Sequence, residues 1–238
     1  MDKISGIKKI NFDKEFETLI ISFCSSWSNG DIIQPFQWTY TLGKLNAKVL
    51  CVRDLDQSYY LSNLYDENGE IVATDVIESR KYFSEIIEES KCKNIITMGS
   101  SCGGHASIMY GNLLNVNYVL AMNPQTFILP VKFVKRHGRI LNLSNENEQL
   151  LQNVKLYGKE NDAMNFGNFC ELDFVDFTGN IKILRGRSTR DRKYRMHIDR
   201  CNNNKFEILQ YPHRAHGPKY VKWLRDSGEL TRILKECM

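Results

Sequence analysis

The chain has 238 residues, 42% hydrophobic and 25% charged, a balance that excludes disordered, collagen-like and coiled-coil chains and fits one large domain. Lys and Arg number 32 against 28 Asp and Glu, and the formal net charge of +4 is too even for a dedicated nucleic-acid binder. No apolar run reaches the ~18 residues that a membrane span needs. The N-terminal stretch has no apolar signal core, so a cytoplasmic protein is expected. Seven cysteines, an odd number without C-x-x-C spacing, indicate neither a disulfide framework nor a structural zinc site. No His/Asp/Glu cluster has metal-ligand spacing, and no metal or resident cofactor is expected.

Six short apolar runs bounded by polar or turn residues predict strands at 19–23 (LIISF), 48–52 (KVLCV), 94–98 (NIITM), 117–122 (NYVLAM), 182–184 (KIL) and 206–209 (FEIL). Several are continuously apolar rather than alternating, which predicts burial on both faces in a mostly parallel sheet. A helix is predicted over 76–90, with Ile77, Tyr82, Phe83, Ile86 and Ile87 on one side. Another runs from 221 to 237 on Val221, Leu224, Leu230, Ile233 and Leu234. Strands alternating with helices predict an α/β fold, a mostly parallel central sheet flanked by helices. The Asn-rich interval 130–179 breaks that rhythm and is expected to be an insertion or cap before the last two strands, within a single domain spanning 1–238.

The third run ends at Met98 and is followed by Gly99-Ser100-Ser101-Cys102-Gly103-Gly104 and a helical stretch through Tyr110. This is G-x-S-x-G between a strand and a helix, the setting of a nucleophile elbow. Glycines two residues either side of the central residue let strand and helix backbones approach, and the serine is lifted to the N-terminal end of the helix. Ser101 is therefore the expected nucleophile. A register one residue on would place Cys102 at the centre, a thiol alternative.

Such a serine needs a base and an orienting acid, in the chain order Ser, Asp or Glu, His. His213 and His216 both follow the last predicted strand, and His216, flanked by Ala215 and Gly217, is the preferred base. Asp191, a few residues past the penultimate strand, is the expected acid, with Asp199 second. The backbone N–H groups of Cys102 and of Ser25, in the loop after the first run, are expected to form the oxyanion hole. Trp27, Phe36 and Trp38 are candidates to wall an acyl or sugar pocket.

These motifs resemble the α/β-hydrolase superfamily from about residue 19 to 234, most specifically at GSSCGG and at the histidine loop. A narrower likeness, in GSSCGG, Asn123-Pro124-Gln125 and the terminal AHGPKYVKWLRDSGEL, is to hydrolase-like proteins of bacterial surface-polysaccharide loci, including α/β-hydrolase-type capsule O-acetyltransferases. Arg214-Ala215 precede His216 where such proteins carry glycine. The resemblance implies a serine esterase or O-acyltransferase working through an acyl-Ser101 intermediate, with acetyl-CoA as an acyl donor and a sugar hydroxyl or water as acceptor. Arg187 and Arg190, in a basic cluster that runs from Arg185 to Arg200, would then meet an anionic ligand, either CoA phosphates or an acidic glycan. The same residues admit a reading from another class, a non-catalytic module that binds a carbohydrate or a protein.

Overall fold

Each of the six apolar runs forms a strand. The structure is a computed structural model that describes residues 4–25, 36–125, 178–188, 206–214 and 218–238. In chain order its elements are β1 (Ile7–Ile10), β2 (Thr18–Phe23), α1 (Thr39–Leu42), β3 (Lys48–Val52), β4 (Leu64–Tyr65), β5 (Ile71–Ala73), α2 (Val76–Ser90), β6 (Asn94–Ser100), α3 (Cys102–Leu113), β7 (Tyr118–Met122), β8 (Asn180–Arg185), β9 (Phe206–Gln210), α4 (Pro218–Asp226) and α5 (Glu229–Cys237). A seven-stranded sheet runs β1-β3-β2-β6-β7-β8-β9, with β4 and β5 forming a separate pair. Only β1 is antiparallel to its neighbour in the large sheet.

The continuously apolar runs are the inner strands. Every residue of β2 is buried, as are all but the first of β6 and β7. One sheet face packs Phe23, Val52 and Ala121 under α2 and α3. The other packs Ile20, Val49 and Met98 under α1, α4 and α5. On the first face Phe23, Phe83 and Tyr110 meet with ring centroids 5.0–5.7 Å apart. Burying a ring of that size contributes about 2–3 kcal/mol.

The structure adjusts three expectations. β6 runs two residues past Met98, through Gly99 and Ser100. The inward face of α2 is Val76, Ser79, Phe83, Ile86 and Ser90, whereas Ile77 is 53% exposed. The single helix expected over 221–237 is two, parted at Ser227-Gly228 where Gly228 takes φ 76°, a conformation glycine reaches without steric cost. The interval expected as a cap, 130–179, lies outside the described residues but for its last two.

Strand order positions the site. After β2 the chain moves to one side, to β3, and β6 pairs on the other. The loops leaving the carboxyl ends of β2 and β6 therefore diverge, and open α/β sheets bind ligands in the crevice at such a switch point.

Candidate functional site

Ser101 follows the last residue of β6 and precedes the first turn of α3. Its backbone takes φ 59° and ψ −116°, a region almost closed to residues with a Cβ and worth about 1–3 kcal/mol of strain. The kink thus falls on Ser101, while Cys102 opens the helix. The flanking glycines are required by contact. A Cβ on Gly103 would come 2.7 Å from Cys24 O and closer still to Phe23 O, and one on Gly99 would collide with the Gly103 carbonyl. Strand β2, strand β6 and helix α3 therefore touch backbone to backbone. Ser101 is 6% exposed and Cys102 2%, with the thiol 3.9 Å from Cys24 O.

Hydrogen bonds link the carboxyl-end loops in sequence. Ser101 N–H donates to Met122 O (3.0 Å), and Gln125 N–H donates back to Ser101 O (3.1 Å). Asn123, at φ 41°, donates its N–H to Leu184 O (2.7 Å) and accepts Gly186 N–H on Oδ1 (2.8 Å). Arg187 N–H then donates to His213 O (2.6 Å). The segments that lead on to Asp191 and to His216 thus leave the sheet side by side.

On the other flank, Cys24 N–H donates to Val52 O (2.9 Å), and the Tyr60 hydroxyl lies 2.7 Å from Cys24 O and 3.1 Å from Val52 O. Burial holds the Tyr60 phenol well above its ordinary range, so it stays a neutral donor. Ser25 is gripped by one side chain that the sequence did not single out. Its N–H donates to Gln37 Oε1 (3.0 Å), while Gln37 Nε2 donates to its Oγ (2.5 Å). The N–H assigned to an oxyanion hole is thus held by Gln37 in this conformation.

His105, one turn beyond Ser101, is 1% exposed. Its Nδ1 meets Gln125 O at 2.9 Å, and Nε2 has no partner. Burial lowers its pKa to about 4, so it is a neutral core imidazole at pH 7 and its Nδ1 is the donor. Asp54, two residues past β3, accepts from Ser58 Oγ (3.2 Å) and Tyr60 N–H (3.2 Å), and desolvation raises its pKa to about 6.

Of the expected site residues, Ser25 follows β2, and Ser101 and Cys102 lie at the junction of β6 with α3. Arg187 is exposed just past β8. The ring of His213, the second choice of base, sits against Trp223 and Tyr220 of α4, with centroids 5.4 and 5.6 Å away. Trp27, Asp191, Arg190, His216 and Asp199 lie outside the described residues. Phe36 and Trp38 line a cleft of about 1000 Å³ between α1 and the α4–α5 pair. Among the described residues no cluster could hold a metal ion, no disulfide joins the cysteines, and no helix is long and apolar enough to cross a membrane.

No protein-family model matches the chain, and no curated protein matches it in sequence. Its architecture does match solved structures. The capsule O-acetyltransferase of Neisseria meningitidis serogroup A, in complex with caged gadolinium, superposes with a TM-score of 0.64 at 16% identity over 96% of this chain and 92% of that one. A histidine-to-alanine mutant of that enzyme in complex with CoA gives 0.57 at 16% identity, over 94% and 92% of the two chains. The monoacylglycerol lipase of Paleococcus ferrophilus gives 0.54 at 15% identity, over 98% of each. With these likenesses the fold is that of the α/β-hydrolases.

Proposed function

We propose that the protein is a serine-nucleophile acyl-transfer enzyme, with Ser101 as nucleophile, His216 as base and Asp191 as the acid that orients it. The observation that carries this reading is the backbone at Ser101. A residue with a Cβ is held at φ 59° between two glycines that admit no side chain, at the switch point of an α/β-hydrolase sheet. Strain of that kind persists where the surrounding packing enforces it, and it places Oγ at the N-terminal end of α3.

In the first half-reaction Oγ bonds to the acyl carbon as its proton passes to the His216 imidazole. The carbonyl electron pair moves onto oxygen, which accepts the N–H groups of Cys102 and, once Gln37 gives way, Ser25. The tetrahedral intermediate then collapses. The bond to the leaving alcohol or thiol breaks, and that group takes the proton from the imidazolium. In the second half water or a sugar hydroxyl gives its proton to His216 as its oxygen bonds to the acyl carbon; the acyl–Oγ bond then breaks, and the imidazolium returns its proton to Ser101 Oγ. Esterase and O-acyltransferase differ only in that acceptor. The likeness to a capsule O-acetyltransferase, one form of it in complex with CoA, supports the transferase form, with acetyl-CoA as donor and a bacterial surface polysaccharide as acceptor. Arg187, Arg190 and Trp27 would then contact the anionic or sugar part of the substrates.

The test is intact-protein mass spectrometry after incubation with p-nitrophenyl acetate and, separately, acetyl-CoA. An acetyl adduct on wild type and on Cys102→Ala, absent from Ser101→Ala, is expected. An adduct lost with Cys102 would move the nucleophile to the thiol, and no adduct from either donor would overturn the enzyme reading.

A further inference from the structure

The cleft between α1 and the α4–α5 pair has a one-sided chemistry. Lys44, Lys222, Arg225 and Lys235 line it, together with the aromatic rings of Phe36, Trp38 and Tyr40, and among the described residues no carboxylate does. Arg225 is paired with Asp226 (2.7 Å). Lys44, Lys222 and Lys235 make no ion pair with any described carboxylate, and Lys44 instead donates to the Tyr40 hydroxyl (2.6 Å). Three unpaired lysines around one concavity repel one another, and an anion seated there would reverse that repulsion.

Two buried groups at the same end also lack partners. The Trp38 side chain is 92% shielded, and its Nε1–H has no acceptor. Arg53, 9% exposed, carries an Nη2 with no partner, and its guanidinium lies 5.1 Å from the centre of the Phe36 ring, which lines the cleft. A buried cation without a counter-charge is costly in the free protein and is offset when an anion arrives. The cleft also reaches the candidate site through Gln37, which lines it and clamps Ser25.

We propose that this cleft binds the phosphorylated nucleotide end of an acyl-thioester donor, with the lysines drawing in its phosphates and its base lying against the aromatic lining. This rests on the acyl-transfer reading and deepens it by giving the donor a seat outside the nucleophile crevice. The volume suits a ligand of that size, since pockets for extended small molecules run to about 1,000 Å³. The rings favour a donor with a planar base over a chain of sugar carboxylates, which the cations alone would serve.

Equilibrium binding tests the cleft without requiring any chemistry at Ser101, so its failure and that of the acyl-transfer reading are seen separately. Wild type and Lys222→Glu/Lys235→Glu would be titrated calorimetrically with CoA, dephospho-CoA and pantetheine, and with an oligogalacturonate as an acidic glycan. For wild type we expect affinity to fall from CoA to dephospho-CoA to pantetheine, a ligand-side result that needs no variant to fold. CoA affinity should drop at least tenfold in the folded double variant, with pantetheine affinity unchanged. No CoA binding, or CoA binding indifferent to charge reversal and to loss of phosphates, would overturn the proposal. Oligogalacturonate binding through the same lysines, with CoA indifferent to them, would overturn it too and make the cleft an acceptor site.

Discussion

Adding one methyl group at Gly103 is a severe test of the site geometry. The new Cβ would lie 2.7 Å from Cys24 O and nearer still to Phe23 O, both backbone atoms, where real Cβ atoms stay beyond 3.0 Å. Helix α3 must then move away from β2 by about half an ångström or more. Overpacking of that order costs about 1–3 kcal/mol in stability. The displacement would also separate the two N–H groups proposed for the oxyanion hole, those of Cys102 and Ser25, and misplacement approaching 1 Å can cost on the order of 10²-fold in rate. Gly111 is the control, because a Cβ there would press on the Val119 side chain, farther along α3. Urea unfolding gives the stabilities, and burst-phase acylation by p-nitrophenyl acetate gives the rate per folded molecule. Gly103→Ala should lose both stability and acylation, Gly111→Ala stability alone. Gly103→Ala acylating at the wild-type rate would refute the placement of Cys102 and Ser25 around one oxyanion.

Gln37→Ala releases the Ser25 N–H, and acylation by p-nitrophenyl acetate should rise several-fold; a fall would show that Gln37 instead holds the loop in its working shape. His105 sets a pH dependence. Its folded pKa of about 4 lies below the ordinary 6.5, so the unfolded chain binds the extra proton between those values, and stability falls as pH falls through that window. From pH 7.5 to 5.0 the loss is about 2 kcal/mol. Asp54, raised to about 6, works in the opposite direction over nearly the same range, so the measurement is the difference in urea stability between wild type and His105→Gln at the two pH values. An unchanged difference would remove the buried neutral imidazole. Tyr60→Phe deletes the hydroxyl shared by Cys24 O and Val52 O and should cost about 1–2 kcal/mol in the same unfolding assay, whereas a neutral result would mean that water replaces it.

The inner strands were legible because burial on both faces demands uninterrupted apolar runs, as in LIISF and KVLCV. β1 was not, since IKKI is four residues long with two lysines and pairs on one side only. The elbow was legible because its backbone contacts leave room only for glycine, a steric demand written directly into residue identity. Gln37 was invisible for the opposite reason. A glutamine in a loop carries no pattern, and only the fold, by bringing residues 12 apart into a two-bond clamp, gives it a role. The basic cleft was hidden in a similar way. Lys222 and Lys235 read as the ordinary polar face of a C-terminal helix until that helix splits and faces Lys44 from far upstream.

The backbone at Ser101 has a consequence for how this protein would change under selection. Glycine occupies φ 59° and ψ −116° far more readily than serine, so Ser101→Gly relieves strain while deleting the hydroxyl. A library screened only for survival at high temperature would drift toward glycine at this one position. Retention of serine there across a family would have to be maintained by selection on turnover, acting against the thermostability of its own scaffold.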